Sequence, residues 1–201
     1  MKQNGIQARR RKKFKATTNS KHNYPVAENL LDRNFDQPAP NKVWAGDITY
    51  VWTDEGWLYL AVFIDLFSRK IVGWSMSSRM SADLVLNAFL MAKFRRGKKV
   101  KPMVHSDRGS QYASELFTKA LGPDYKQSMS RKANCWDNAC VESFFGSLKT
   151  ELVHQEKFKT RAEAEEKLFE YMEIFYNQKR LHSSLNYLSP DEFEQCTESA
   201  G

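Results

Sequence analysis

The feature that most constrains the fold of this chain is a group of three closely spaced segments rich in Val, Ile, Tyr, Trp and Phe. They cover Val43–Trp52, Trp57–Phe67 and Lys70–Met76. Residues of these types favour β-strands, and the connections around Asp-Glu-Gly at 54–56 and Ser-Arg at 68–69 are short. Strands joined by such tight turns pair side by side in opposite directions. The segments therefore predict a three-stranded antiparallel meander.

Segments with helical periodicity and short apolar segments alternate after the meander. They predict first a helix from Ser81 to about Arg96, a strand at Pro102–Ser106, a short helix at Ser114–Leu121 and a strand at Tyr125–Met129. A helix that carries Val141 and Phe144 follows, with a cap at Asn134 or Asp137. A last long helix runs from the Thr160–Glu163 capping box to about Gln178. This order predicts an α/β domain of the ribonuclease-H-like type, in which a five-stranded mixed sheet is flanked by helices.

The positive charge of the chain is concentrated at its N-terminus. The net charge is +7, yet the first 21 residues contain eight Lys and Arg and no acid, so the rest of the chain is close to neutral. A basic arm of this kind predicts phosphate contacts, with a solvated or localisation-type tail as the alternative. The residues that we predict to contact DNA in this arm are Arg9, Arg10, Arg11, Lys12 and Lys13.

Three acidic residues occupy positions that the predicted topology would bring together. Asp47 lies within the first strand, Asp107 directly after the fourth, and Glu142 on the helix after the fifth. Each residue alone could instead cap a turn, start a loop or lie on a solvated helix face. Clustered carboxylates repel one another without a counter-charge, so their convergence would imply a hard cation such as Mg²⁺.

Each of the three acids lies in an extended motif. The motifs are WAGDITY at 44–50, HSDRGSQY at 105–112 and SMSRKANCWDNACVESFF at 128–145. Together with DLFSRKIVGW at 65–74 and YNQKRLHSSL at 176–185, they resemble the D-D-E signature of the insertion-sequence-three family of bacterial transposases, relatives of retroviral integrases. The second and third acids are 35 positions apart, about one fewer than is usual in that family. We expect a shortened surface loop at 121–126 and an intact site.

The resemblance implies a DNA transposase core that performs DNA integration and recombination. Asp47, Asp107 and Glu142 would hold two Mg²⁺ or Mn²⁺ ions on either side of the scissile phosphate. Attack by water would free a 3′-hydroxyl at a transposon end, and attack by that hydroxyl would join the end to target DNA. The implied partners are transposon ends, target DNA and further copies of the chain assembled on DNA.

The prolines of QPAP at 37–40 disfavour a helix and indicate a linker. We therefore predict a basic arm and linker at 1–40, an integrase-type catalytic core at 41–196 and a tail at 197–201. No apolar run reaches the ~18 residues of a membrane span, and we expect a protein of the bacterial cytoplasm, associated with the nucleoid and not with a membrane. Three cysteines without C-x-x-C spacing predict reduced thiols, not a zinc site.

Several further residues are candidates for supporting roles. Asn138 and Lys149 share the helix face of Glu142, so Lys149 is a candidate phosphate contact and Asn138 a candidate support for the acids. Arg131 and Lys132 precede that helix and could contact the DNA backbone. His105 is expected to pack or orient neighbouring groups, since a two-metal site needs no general acid or base.

Two other functions remain open at this point. The chain could be a DNA-binding fragment without catalytic activity that regulates the full transposase, because members of the family usually carry an upstream helix-turn-helix region and this sequence starts just after where that region would lie. It could also be a ribonuclease H, which shares the fold and the metals but lacks the surroundings of the second and third motifs.

Overall fold

A five-stranded mixed sheet forms the centre of the protein. The computed structural model describes residues 22–132 and 134–198, so the basic run Arg9–Lys13 lies outside the described residues. The strands are β1 (Val43–Thr53), β2 (Gly56–Asp65), β3 (Ile71–Ser77), β4 (Met103–Ser106) and β5 (Gln127–Met129), in the spatial order β3-β2-β1-β4-β5. The first three strands pair antiparallel, whereas β4 pairs parallel to β1 and β5 parallel to β4. The predicted meander and mixed sheet are confirmed.

Six α-helices accompany the sheet in the described part of the chain. They are α1 (Ala82–Arg96), α2 (Ser110–Ala113), α3 (Glu115–Leu121), α4 (Ala139–Leu148), α5 (Arg161–Phe169) and α6 (Pro190–Glu198). Wider π-type turns extend α4 through Lys149–Val153 and α5 through Glu170–Tyr176. The sequence patterns do not predict α2 and α6. Within the described residues, no helix is long and apolar enough to cross a membrane.

The helices cover both faces of the sheet. On one face α1 and α3 pack their Phe89 and Phe117 rings against Phe63 of β2. On the other face α4 and α5 bury Phe144 and Leu168 in a second cluster. The strand β2 is buried on both sides, as is typical of a central strand, because its side chains point alternately to the two faces.

The close packing of β3 on α1 requires a residue without a side chain at position 73. A Cβ atom on Gly73 would lie 2.2 Å from the backbone oxygen of Ala88 and 2.6 Å from the backbone nitrogen of Ala92. We expect Gly73→Ala to lower the free energy of unfolding by about 2 kcal/mol, because overpacking against backbone atoms cannot be relieved by a rotamer change. Urea unfolding would measure the loss. Ser75→Ala on the same strand is the control, and equal stability of the two variants would contradict the argument.

The stretch before β1 is packed onto the domain in its described part, residues 22–40. Leu31 is buried in the same cluster as α4 and α5, and the backbone N–H groups of Leu30 and Leu31 donate to the hydroxyl of Ser128. Residues assigned to the arm and linker therefore contact the core directly. The turn after β2 is held by Asp65, whose carboxylate accepts the N–H groups of Asn41 and Phe67.

Candidate active site

The parallel pairing of β1 and β4 places two of the predicted acids side by side. Gly46 of β1 is paired with Ser106 of β4, and Asp47 and Asp107 are the residues that follow this pair. Neighbouring strands lie roughly 4.8 Å apart, so the register alone brings both carboxylates to the same edge. The carboxylate of Asp47 accepts the N–H of Ile48 at 2.7 Å, and that of Asp107 accepts the N–H of Gly109 at 2.9 Å.

The third acid reaches this position from α4. Glu142 lies in the first turn of α4, a helix that packs on the sheet face where Ala45 and Val51 are buried. Asp47 has the same parity along β1 as those two residues and therefore faces α4. The structure thus places the three predicted acids near one another, with Asp47 on β1, Asp107 directly after β4 and Glu142 in the first turn of α4.

The electrostatics of the triad show that its members influence one another. Burial and the negative charges of Asp107 and Glu142 raise the pKa of Asp47 well above its usual range. Burial and the charge of Asp107 also raise the pKa of Glu142. Within residues 22–132 and 134–198, no group of three His, Cys, Asp or Glu side chains is arranged so that it could hold a metal ion. The acids are close enough to repel each other and would be stabilised by a cation.

Lys149 brings a positive charge to the same site. Its ammonium nitrogen lies 5.1 Å from the centre of the Tyr50 ring, and its charge partly offsets the rise in the pKa of Asp47. Burial lowers the pKa of Lys149 itself, and the charge of Asp47 opposes that shift. Lys149 is therefore near Asp47, and its contact with a phosphate stays a prediction.

Asn138 connects the start of α4 to the strand that carries Asp47. Its side-chain amide nitrogen donates to the carbonyl oxygen of Gly46 at 3.2 Å. Asn138 occupies the position before α4, where it makes no side-chain cap bond, and its Oδ1 is buried without a hydrogen-bond partner in the described part of the chain. The side chain therefore fixes the helix relative to the strand and leaves one acceptor oxygen free.

His105 is fully buried between β5 and the turn that precedes α4. One ring nitrogen lies 2.9 Å from the hydroxyl of Ser128 and the other 2.9 Å from the carbonyl oxygen of Asp137. Burial lowers the pKa of His105 to about 4, so the ring is neutral at physiological pH. Through these contacts His105 joins the end of β4 to β5 and to the turn before α4, and its orienting role stays a prediction.

Asp137 supports the turn before α4, whereas the sequence pattern indicates only a possible helix cap at this position. Asn134 caps the 3₁₀ turn at Cys135–Asn138 instead, by accepting the N–H of Trp136. The buried carboxylate of Asp137 accepts bonds from the backbone and guanidinium of Arg131. The signal available in the sequence was the spacing of six between an arginine and an acid at the start of a helix.

The same carboxylate also accepts hydrogen bonds from residues in the stretch before β1. Arg33 donates to Asp137 at 2.9 Å and Asn29 at 3.1 Å. The hydrogen bonds and positive charge of Arg131, together with Arg33, hold the pKa of Asp137 far below its usual range. Of the two residues predicted to contact DNA here, Arg131 is thus already paired, whereas Lys132 is exposed.

Comparison with known proteins identifies the family. Two family profiles, both described as an integrase core domain, match residues 37–135 and 142–197. The chain is 48% identical over 195 residues to the InsF transposase for insertion sequence IS3A of Escherichia coli strain K12, covering 96% of this chain and 68% of that protein. It is 53% identical over 168 residues to the transposase of IS904 from Lactococcus lactis, covering 83% of this chain and 66% of that protein.

Solved structures show the same fold at low sequence identity. A simian T-cell lymphotropic virus intasome, in complex with the PP2A regulatory subunit B56 gamma, matches with a TM-score of 0.64 and 19% identity, covering 88% of this chain and 60% of that chain. The HTLV-2 integrase catalytic core domain in complex with magnesium matches with a TM-score of 0.57 and 20% identity, covering 78% of this chain and 98% of that chain. These matches confirm the ribonuclease-H-like fold, and the close transposase relatives give the activity. The chain belongs to the IS3 family of insertion-sequence transposases, D-D-E polynucleotidyl transferases with an integrase core domain.

Proposed function

We propose that Asp47, Asp107 and Glu142 are the catalytic residues of this transposase core at 41–196 and that together they hold two Mg²⁺ or Mn²⁺ ions. The observation that carries the proposal is the parallel register of β1 and β4, which sets Asp47 beside Asp107 on the side of the sheet where α4 carries Glu142. Burial and the repulsion by the other two carboxylates also raise the pKa of Asp47. Hard divalent cations prefer carboxylate oxygens and would remove this repulsion. The buried free Oδ1 of Asn138 adds an acceptor that could bind water in the shell of an ion.

The residues of the site have separate roles in the proposed DNA cleavage and joining. When bound, the cations would supply an activated attacking oxygen and charge stabilisation of the leaving oxygen. Asp47, Asp107 and Glu142 would hold them, and Asn138 keeps α4 in register with β1. Neutral His105 holds the turn before α4 and is not required to transfer a proton.

Cleavage and joining then use the same arrangement of side chains. Water as the attacking group breaks a phosphodiester bond and leaves a 3′-hydroxyl on the transposon end. That hydroxyl then attacks a phosphodiester of target DNA, so one P–O bond forms as another breaks and no external energy source is needed. Joining two ends requires at least two protomers, so we propose that copies of the chain assemble on DNA.

DNA strand joining with a pre-cleaved transposon end and Mg²⁺ tests the proposed activity. We expect joined products that disappear on chelation and return with Mg²⁺ or Mn²⁺. Binding of the end without any cleavage or joining would favour the alternative of a non-catalytic DNA-binding fragment. Cleavage of an RNA–DNA hybrid in preference to the transposon end would favour a ribonuclease H.

Lys149 is proposed to contact a phosphate next to the scissile bond. We expect Lys149→Met, which keeps the apolar stem over Tyr50, to reduce joining by about tenfold, because one charge-assisted contact to an anion is worth roughly 1.5–3 kcal/mol and the half-buried site only partly excludes water. Joining rates at saturating Mg²⁺ would measure the effect. The control Lys167→Met alters an exposed lysine on α5 that pairs with Glu170. Equal rates for the two variants would remove Lys149 from the site.

The basic arm and Lys132 are proposed to bind the DNA backbone without reading its sequence. We expect deletion of residues 1–21 to weaken binding to all DNA and to flatten the dependence of the binding constant on salt, by a logarithmic slope of about 0.9 for each phosphate that the arm neutralises. Titrations of random duplex at several salt concentrations would measure the slope. An unchanged slope would move the phosphate contacts onto the core.

A further inference from the structure

A cavity of about 520 Å³ lies beside the catalytic helix, away from the three acids. Its walls include Ser143 and Ser147 of α4, Arg69 from the β2–β3 turn, and Arg180 with His182 from the stretch after α5. Each residue of an α-helix is turned by about 100° from the one before, so Ser143 and Ser147 project roughly 100–140° round the axis from Glu142. The cavity and the three acids therefore lie on neighbouring sides of α4.

The cavity is basic. The described residues that line it include two arginines and no acid. Arg180 is paired with Glu151 at 2.7 Å and also reaches the hydroxyl of Ser147 at 3.2 Å. Arg69 donates instead to the thiol of Cys140 and the carbonyl oxygen of Phe35. Burial raises the pKa of that thiol, so neither contact neutralises the charge of Arg69.

Neutral polar groups complete the lining. Ser143 of α4 and Ser183 and Ser184 of the stretch after α5 line the cavity from two sides. The Nε2 atom of His182 is buried and has no hydrogen-bond partner among the described residues. Burial and the positive charge of Arg180 lower the pKa of His182 to about 4, so the ring is neutral and can donate one N–H. Buried polar atoms normally have a hydrogen-bond partner, and no residue in the described part of the chain provides one for this nitrogen.

We propose that this cavity binds a phosphate of the DNA backbone and so holds a DNA strand against the outer flank of α4. Guanidinium groups with nearby hydroxyl donors suit phosphate oxygens, because the planar fork can make two parallel bonds to them. The cavity is within the usual range of about 300–1,000 Å³ for ligand sites, which leaves room for a phosphate with its flanking sugars. The choice of DNA over a free phosphate compound rests on the proposed function.

The test measures DNA affinity in the full chain carrying Asp107→Asn, so that no cleavage takes place. We expect Arg69→Gln to weaken binding of a short duplex by roughly tenfold at low salt and to reduce the logarithmic salt slope by about 0.9, the value for a single neutralised phosphate. Lys98→Gln is the charge-matched control, because Lys98 is exposed and follows α1 on the opposite face of the sheet. Equal slopes for the two variants would overturn the proposal.

Two further variants separate phosphate binding from a loss of packing. Arg69→Lys keeps the charge and should retain most of the salt slope. Ser184→Glu places a negative charge at the exposed rim, leaves the contacts of Arg69 intact, and should weaken binding as Arg69→Gln does. Normal DNA affinity of Ser184→Glu would contradict the proposal even if Arg69→Gln were unstable.

Competition by inorganic phosphate distinguishes the two sources of the ligand. We expect phosphate to displace the duplex from the Asp107→Asn chain more effectively than from the chain that also carries Arg69→Gln. Phosphate binding that depends on Arg69 while DNA affinity does not would assign the cavity to a free phosphate compound and overturn the DNA assignment. Because these measurements require no cleavage, a chain that binds DNA through this cavity but never joins it would refute the proposed catalysis alone.

Discussion

Asp47→Asn, Asp107→Asn and Glu142→Gln are each expected to lower cleavage and joining by on the order of a thousandfold or more, with DNA binding retained. The amide side chains have the same size as the carboxylates but are neutral, so they bind a divalent cation much more weakly. Initial rates of joining in Mg²⁺ would measure the loss. Asp54→Asn, in the exposed turn between β1 and β2, is the matched control and should leave the rate unchanged. Activity near the unmodified level in any one variant would exclude that acid from the site.

The same variants separate a catalytic defect from a folding defect. The pKa of Asp47 is higher in the folded protein than in the unfolded chain, so its ionisation favours unfolding as the pH rises through the folded pKa. Without metal, Asp47→Asn should therefore be as stable as the unmodified protein at neutral pH, or more stable. Mg²⁺ should raise the melting temperature of the unmodified chain and have a smaller effect on the variant. A variant that unfolds without metal would contradict this account of the site.

Asp137→Asn is expected to give the largest loss of stability among single changes at the base of α4. One buried carboxylate accepts bonds from Arg131, Arg33 and Asn29, and its amide would turn an N–H group toward these donors. Breaking a wholly buried pair costs about 3–5 kcal/mol, and since both arginines are half-exposed and can reach water we expect about 3 kcal/mol. Urea unfolding would measure it. Asp124→Asn removes an exposed ion pair with Lys101 and should cost less than about 1 kcal/mol.

The pH dependence of stability provides a second measurement for Asp137. Its pKa is lower in the folded protein than in the unfolded chain, so the stabilisation is complete above the unfolded pKa of about 3.9 and is lost as the pH falls toward the folded value. The difference in stability between the unmodified protein and Asp137→Asn should therefore shrink below about pH 4. A difference that stays constant into acid would show that the charge of Asp137 does not hold the turn.

The order of elements along the chain, the mixed sheet and the grouping of the three acids could be predicted because they follow from local patterns and motifs, whereas the catalytic role of the acids stays a prediction. Alternating side chains and short connections allow only an antiparallel meander at 43–77, and the lengths of the following segments favour parallel strands. Once β1 and β4 pair in parallel, Asp47 and Asp107 become neighbours by register. The position of Glu142 early in the next helix follows from the same order and from the motif around it.

The supporting contacts were decided by the tertiary structure, because they join residues far apart in the chain. Asp137 binds Arg33 across 104 positions, and Asn138 reaches Gly46 across 92. Local periodicity describes neighbours within a few residues and contains no information on which distant donor a buried carboxylate will meet. The cavity at Arg69 and Arg180 has the same origin, since it exists only where the β2–β3 turn, α4 and the chain after α5 pack together. The sequence by itself determined the fold and the grouping of the three acids, whereas long-range packing determined which residues support the acids and where the basic cavity lies beside them.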